Sequence, residues 1–386
     1  LLSDRGEATG LASALMILDR YEAMARGERL EFFRRLNTEL GVDDAALGAA
    51  IAGWTPGDVD AARRIHFAAE PRTQALIRAL NRAPGATERL VRMRAGLLEL
   101  LGEAPELSGL DGDFRHLFSS WFNRGFLELR RIDWMTSAAI LEKIITYEAV
   151  HEITGWDDLR RRVAEPDRRL FAFFHPSMAA EPLIFVEVAL TTEIPGAIAA
   201  ILDPDRQAIG PEEARVAVFY SISNCQTGLR GISFGNFLIK QVVSELARER
   251  PQLDSFVTLS PVPGLRRWAE SGAESAREIG LTPDATPEDP AALAAYYLTS
   301  IRRADGSAHD PVAHFHLSNG AMLYRIHAGA DTSPRGMAGS WGVMVNYLYD
   351  GATIAENHQA YATDRTIAAS PELRRLARSV AAAKKS

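Results

Sequence analysis

Val216-Ala-Val-Phe-Tyr-Ser-Ile-Ser223 leads, a few residues on, into Gly228-Leu-Arg-Gly-Ile-Ser-Phe-Gly235-Asn236, and an amphipathic stretch then runs to Glu249. The first segment alternates and is β-branched or aromatic, which predicts a strand. In the last, Phe237, Ile239, Lys240, Val243 and Leu246 recur at helical spacing. Between them, glycines allow a tight turn and a close approach of backbone to ligand. A helix starting there presents free N–H groups and a positive dipole end, which together suit a phosphate. Arg230 and Lys240 can add charge, although a plain glycine-containing loop has the same look. The Gly-Lys-Ser/Thr ending of a P-loop is missing, and the glycine spacing is not that of a dinucleotide fingerprint.

Outward from this passage the chain has two characters. Residues 11 to about 163 read as successive helices, beginning with Leu11, Leu15, Leu18 and Tyr21 and continuing through Ala61–Ala69, Thr73–Asn81, Thr87–Leu101, Phe114–Arg130 and Ala138–Val150. Gly41, Pro56-Gly57 and Pro84-Gly85 punctuate them. No alternating strand is expected there. Beyond it, Leu170–His175, Leu183–Leu190, Arg215–Ser223, Phe256–Ser260 and Met322–Ala328 are expected strands, with helices between. The class is therefore α+β: an N-terminal all-α bundle followed by a mixed α/β domain. We place the helical domain at residues 1–160 and the second domain at 161–386.

Composition narrows the function. The 386 residues carry 43 Lys+Arg against 50 Asp+Glu, a formal charge of -7. That balance argues against non-specific binding to nucleic acid or an anionic membrane. The single cysteine, Cys225, excludes an intrachain disulfide and a Cys-rich zinc site, and it fits a reducing, cytoplasmic setting. The most apolar run, residues 182–202, is interrupted by Glu187 and Glu193, so no membrane-spanning helix is expected.

Two further segments could carry chemistry. In Phe256-Val-Thr-Leu-Ser260-Pro-Val-Pro-Gly264, Ser260 ends a strand before a proline, which holds it extended at a strand terminus, where α/β folds place ligands. In Asp310-Pro-Val-Ala-His314-Phe-His316-Leu-Ser-Asn319-Gly320, an extended reading puts His314 and His316 on one face. A histidine there suits acid–base work near neutrality. A metal would need a third ligand, and none lies nearby in the sequence, so no metal is expected. Structural roles for both segments remain open on this reading.

These three passages, together with Arg131-Ile-Asp-Trp134, Ile140-Leu-Glu-Lys-Ile-Ile145, Tyr147-Glu-Ala-Val150 and Gly336…Gly339-Ser340…Gly342…Asn346-Tyr347, resemble the malonyl-CoA decarboxylase family, in the family's order, over residues 130–350. The resemblance implies a helical domain used for assembly into a homodimer or homotetramer. It also implies a catalytic domain with the fold of the GNAT acetyltransferase superfamily, and conversion of malonyl-CoA to acetyl-CoA and CO2. Ser260 and His316 fall on the family's catalytic serine and histidine, while His314 falls on a variable position. Arg230, Gly231, Ile232, Ser233, Phe234, Gly235 and Asn236 fall on the loop that binds CoA. No cofactor is expected, because a β-carboxy thioester is its own electron sink. The competing readings are an acyl-CoA-dependent N-acyltransferase on the same fold, a serine hydrolase, which would lack a Gly-x-Ser-x-Gly elbow, and a non-catalytic CoA sensor.

Overall fold

The structure is a computed structural model that describes residues 1–2, 7–232, 238–282 and 286–383. It divides into two compact units. The first comprises Leu1–Glu128, Phe174–Leu183 and the described part of Asn224–Gly235; the second comprises Leu129–Phe173, Ile184–Ser223 and the described part of Asn236–Ser386.

In the first unit the apolar repeats fold as expected into helices, among them Glu7–Ala23, Arg26–Glu39, Arg72–Leu80, Ala86–Leu100 and Ser108–Trp121. Asp43 and Asp58 cap the short helices Asp44–Ala52 and Val59–Ala68 by accepting N–H bonds from Ala46 and Ala61. Phe33, Leu90, Leu97, Phe114 and Phe118 form its core. Met178, Leu183, Leu229 and Ile232, from far along the chain, are buried in that same core.

The second unit is built on a mixed sheet. Its strands are β1 (Glu128–Ile132), β2 (Arg168–Phe174), β3 (Ile184–Thr191), β4 (Val216–Asn224), β5 (Ser255–Thr258), β6 (Ser260–Pro261), β7 (Met322–His327) and β8 (Met344–Leu348). Among the described residues the order is β1-β2-β3-β4-β5-β8-β6, and β7 pairs with β8. β2 and β3 are antiparallel with Leu170 opposite Glu187, and both are buried almost throughout, which explains their near-continuous apolar sequences. β4 and β5 are parallel, in register from Val216 opposite Ser255 to Phe219 opposite Thr258. Beyond that pair the ladder stops, although β4 continues to Asn224. The fold class read from the sequence, helices followed by a mixed α/β domain, is the one observed.

Three local readings need correction. The helix expected over Phe114–Arg130 ends at Trp121, and Glu128–Ile132 is a strand within the stretch where none was expected. That strand's Glu-Leu-Arg-Arg-Ile sequence has the charged character of a sheet edge and gives no alternating signal. β8 was not expected at all; its Met-Val-Asn-Tyr-Leu sequence is buried on both faces and so does not alternate. Asp310–Gly320, read as extended, is helical over Pro311–Ser318. Asp310 is an N-cap and Pro311 occupies the first helical turn, the two strongest start signals a helix has. Among the described residues no helix is long and apolar enough to cross a membrane.

Candidate active site

The register of the sheet gives one face to polar chemistry. Thr258 lies opposite Phe219 of β4, and the pairing of Val257 with Leu348 sets it beside Tyr347 of β8. Ser260, two residues on, takes the same face. Thr258 Oγ1 accepts the Tyr347 N–H at 3.1 Å and the Ser260 hydroxyl at 2.8 Å.

Helix Pro311–Ser318 carries His316 onto this face. Asp310 fixes the start of that helix, with Oδ1 accepting from Val312 N at 2.9 Å and Ala313 N at 3.0 Å while Oδ2 accepts from Gly264 N at 3.2 Å. The His316 ring stacks on Tyr347 with centroids 4.4 Å apart and planes at 25°. Nε2 lies 3.3 Å from Ser260 Oγ, and Nδ1 lies 2.7 Å from the Tyr349 hydroxyl. Ser260 and His316, 56 residues apart in sequence, thus meet directly.

Burial sets the charges. His316 is 2 % exposed, and desolvation pushes its pKa down to about 3, so the imidazole is neutral near pH 7. Burial pushes the Tyr347 and Tyr349 phenols far above their usual range, so both stay protonated. His314 does not share this face. On a helix, residues two apart point about 200° from each other, and His314 Nδ1 bonds the Tyr361 hydroxyl at 2.9 Å.

A second polar group occupies the same face of β4. Ser221 and Ser223 follow Phe219 at strand spacing, and both donate to the Glu148 carboxylate, Ser221 at 2.8 Å to each oxygen and Ser223 at 3.1 Å. Val150 N and His151 N each donate to Glu148 Oε1 at 2.7 Å. Four donors on one carboxylate hold the loop after helix Ala138–Tyr147 against the part of β4 that has parted from β5.

Of the loop read as CoA-binding, Arg230, Gly231 and Ile232 are described; Ser233, Phe234, Gly235 and Asn236 lie outside the described residues. A 3-10 turn at Thr227–Leu229 leads into it. Arg230 is exposed, Ile232 is buried, and Gly231 has φ 77°, a left-handed conformation that favours glycine. These three residues belong to the first unit, and Ser260 and His316 to the second. Among the described residues, no group of three or more His, Cys, Asp or Glu side chains could hold a metal ion.

Comparison with known proteins bears on all of these segments at once. The family model for the malonyl-CoA decarboxylase N-terminal domain matches residues 40–122, and that for the C-terminal domain matches residues 125–289 and 285–386. The chain belongs to the malonyl-CoA decarboxylase family. As a member of that family it is a carboxy-lyase. It is 37% identical over 356 residues to the mitochondrial malonyl-CoA decarboxylase of Anser anser anser, which covers 80% of this chain and 70% of the goose protein. It is also similar to the crystal structure of malonyl-CoA decarboxylase from Rhodopseudomonas palustris, with TM-score 0.91 and 49% identity over 97% of this chain and 96% of that one. The Agrobacterium vitis malonyl-CoA decarboxylase structure gives TM-score 0.89 and 52% identity, covering 97% of each chain.

Sequence reasoning missed Thr258, Tyr347, Tyr349 and Glu148. Thr258 had a signal, since it precedes Ser260 at strand spacing and so shares its face. Tyr349 reaches His316 only through the β8 register, which spacing along the chain does not reveal.

Proposed function

We propose that Ser260 and His316 carry out the decarboxylation of malonyl-CoA to acetyl-CoA and CO2 through an enolate, while residues 230–236 hold the CoA pyrophosphate. The observation that carries this reading is the 3.3 Å approach of Ser260 Oγ to His316 Nε2, with the imidazole backed by Tyr349, in a chain of this family.

The chemistry follows from the substrate. Breaking the bond between the α-carbon and the carboxylate moves the electron pair into the thioester carbonyl and gives an enolate. Backbone N–H groups between Ser223 and Thr227, apart from that of Cys225, which donates to Leu183 O, are the proposed donors to its oxygen; one well-placed donor is typically worth about 3–4 kcal/mol. The malonyl carboxylate, held against Ser260 Oγ and His316 Nε2, brings a negative charge beside a neutral imidazole. An opposite charge favours the protonated ring. The imidazolium so formed then gives its proton to the α-carbon, directly or through the Ser260 hydroxyl, as CO2 leaves. Each turnover takes one proton from solvent. In the neutral ring Tyr349, protonated and 2.7 Å from Nδ1, donates to that nitrogen and leaves the proton on Nε2; when the ring takes up its second proton Nδ1 becomes a donor and the Tyr349 oxygen, its hydroxyl turned away, accepts from it.

Incubation with malonyl-CoA alone in deuterated water tests the reading. Trapped CO2 and acetyl-CoA with one methyl deuterium beyond those already exchanged into the substrate support it. Free CoA with malonate would point to hydrolysis, and turnover only with an added amine to acyl transfer. We also propose that the helical region assembles copies into a homodimer or homotetramer, which light scattering on the purified protein measures directly.

A further inference from the structure

Arg94, in the middle of helix Ala86–Leu100, is 1 % exposed, an unusual place for a guanidinium. Its Nε donates to Asp111 at 2.8 Å, and its Nη1 donates to the carbonyl of Gly228 at 2.7 Å, 134 residues away. Gly228 itself lies flat on the same helix: a Cβ built there would stand 1.9 Å from the Val91 carbonyl oxygen. Leu229 and Ile232, on either side of Arg230 and Gly231, are buried in the helical core. Cys225 N donates to Leu183 O at 2.9 Å, and Gln226 Nε2 donates to Pro182 O at 3.1 Å. The described part of the strand-to-helix connection, Cys225 to Ile232, is therefore fastened to the helical unit.

A buried charge retained at this cost needs a reason, since breaking such a pair is strongly destabilising while an apolar replacement of the whole pair is often neutral. Arg94 has a second use. Asp111 accepts one arm, and the other fixes a backbone carbonyl two residues before Arg230. A planar fork with fixed donors sets position in a way that a lysine ammonium does not. We propose that the helical unit is part of the CoA-binding apparatus, with Arg94 as the positioning residue that holds the Gly228 carbonyl, two residues before the CoA loop begins at Arg230. This rests on the reading of residues 230–236 as the CoA loop.

The test separates the two halves of the substrate. Arg94→Lys keeps the charge beside Asp111 but cannot span both partners, and Gly228→Ala pushes the loop off Val91. With malonyl-CoA, each variant should raise KM about 10- to 100-fold, the range for one hydrogen bond to a charged group, while kcat stays within about twofold. With malonyl-N-acetylcysteamine, which lacks the nucleotide, kcat/KM should match the unaltered protein. Unchanged KM for malonyl-CoA, or equal impairment on both thioesters, would overturn the proposal. A tandem Arg94→Met, Asp111→Leu variant removes the pair without stranding a charge and should show the same split. Hydrogen exchange on the unaltered protein needs no variant at all. Adding CoA should protect residues 86–100 together with 227–232, and protection of neither sinks the role of the helix. If the unaltered protein neither binds CoA nor turns over malonyl-CoA, the functional reading itself fails; if it does both and the variants match it, only the role of Arg94 fails.

Discussion

In the proposed mechanism His316 starts from the neutral form that its burial dictates. Replacing it with Asn keeps a polar group but removes the titrating nitrogen. His316→Asn should lower kcat by about 10²–10⁴-fold, the usual contribution of a positioned acid, with acetyl-CoA affinity nearly unchanged; steady-state rates and calorimetric binding check both halves. Ser260→Ala should lower turnover per folded molecule and spare product binding. Loss of stability alone, with turnover intact, would return Ser260 to a structural role. Burial also ties His316 to acid stability. Its folded pKa, about 3, and that of buried His151, about 4, both lie below the unfolded value near 6.5. Between those limits the unfolded chain binds more protons than the folded one, so stability falls as pH drops from about 6.5 toward 4. Chemical denaturation across that range should show this slope, and His316→Asn should make it shallower.

At the scale of elements, helix Pro311–Ser318 is short, and its start decides where His316 stands. Asp310→Ala removes the acceptor for Val312 N and Ala313 N and should cost about 1 kcal/mol of stability. It should also lower kcat, because Gly264 N loses its partner three residues from Pro261. Asp310→Asn should recover most of the stability, as thermal melts will show. The end of β4 depends on Glu148 in a similar way. Glu148→Ala removes the carboxylate that accepts from Val150 N, His151 N and the Ser221 and Ser223 hydroxyls, at a cost of about 1–3 kcal/mol. Urea titration would measure the loss, and Glu148→Gln should restore part of it. The sequence was legible where local signals were strong. Ser260 before Pro261 and the aromatic run of β4 both spoke for themselves. The Asp310-Pro311 start was equally explicit, but a period-two reading of His314 and His316 overrode it. Glu148 could not be found, because its partners are brought to it only by the sheet.

At the scale of the whole molecule, the helical repeats of the first hundred residues and the later strands gave the fold class, because each pattern is local. What no local pattern shows is which unit a connecting segment joins. Met178, Leu183, Leu229 and Ile232 come from the strand-rich part of the chain yet fill the helical core. A fragment beginning at Leu129 would carry these side chains without their core. We expect that fragment to aggregate and to lack CoA affinity, and a soluble, CoA-binding fragment would contradict the packing. The chain changes units after residues 128, 173, 183 and 223, and again beyond 232. During synthesis, at about 5–20 residues per second, the N-terminal helices must therefore wait several seconds with apolar surface uncovered until Leu229 and Ile232 leave the ribosome. A chaperone that shelters nascent chains would find its client in those early helices, and slowing translation between the two regions should lower the yield of soluble protein.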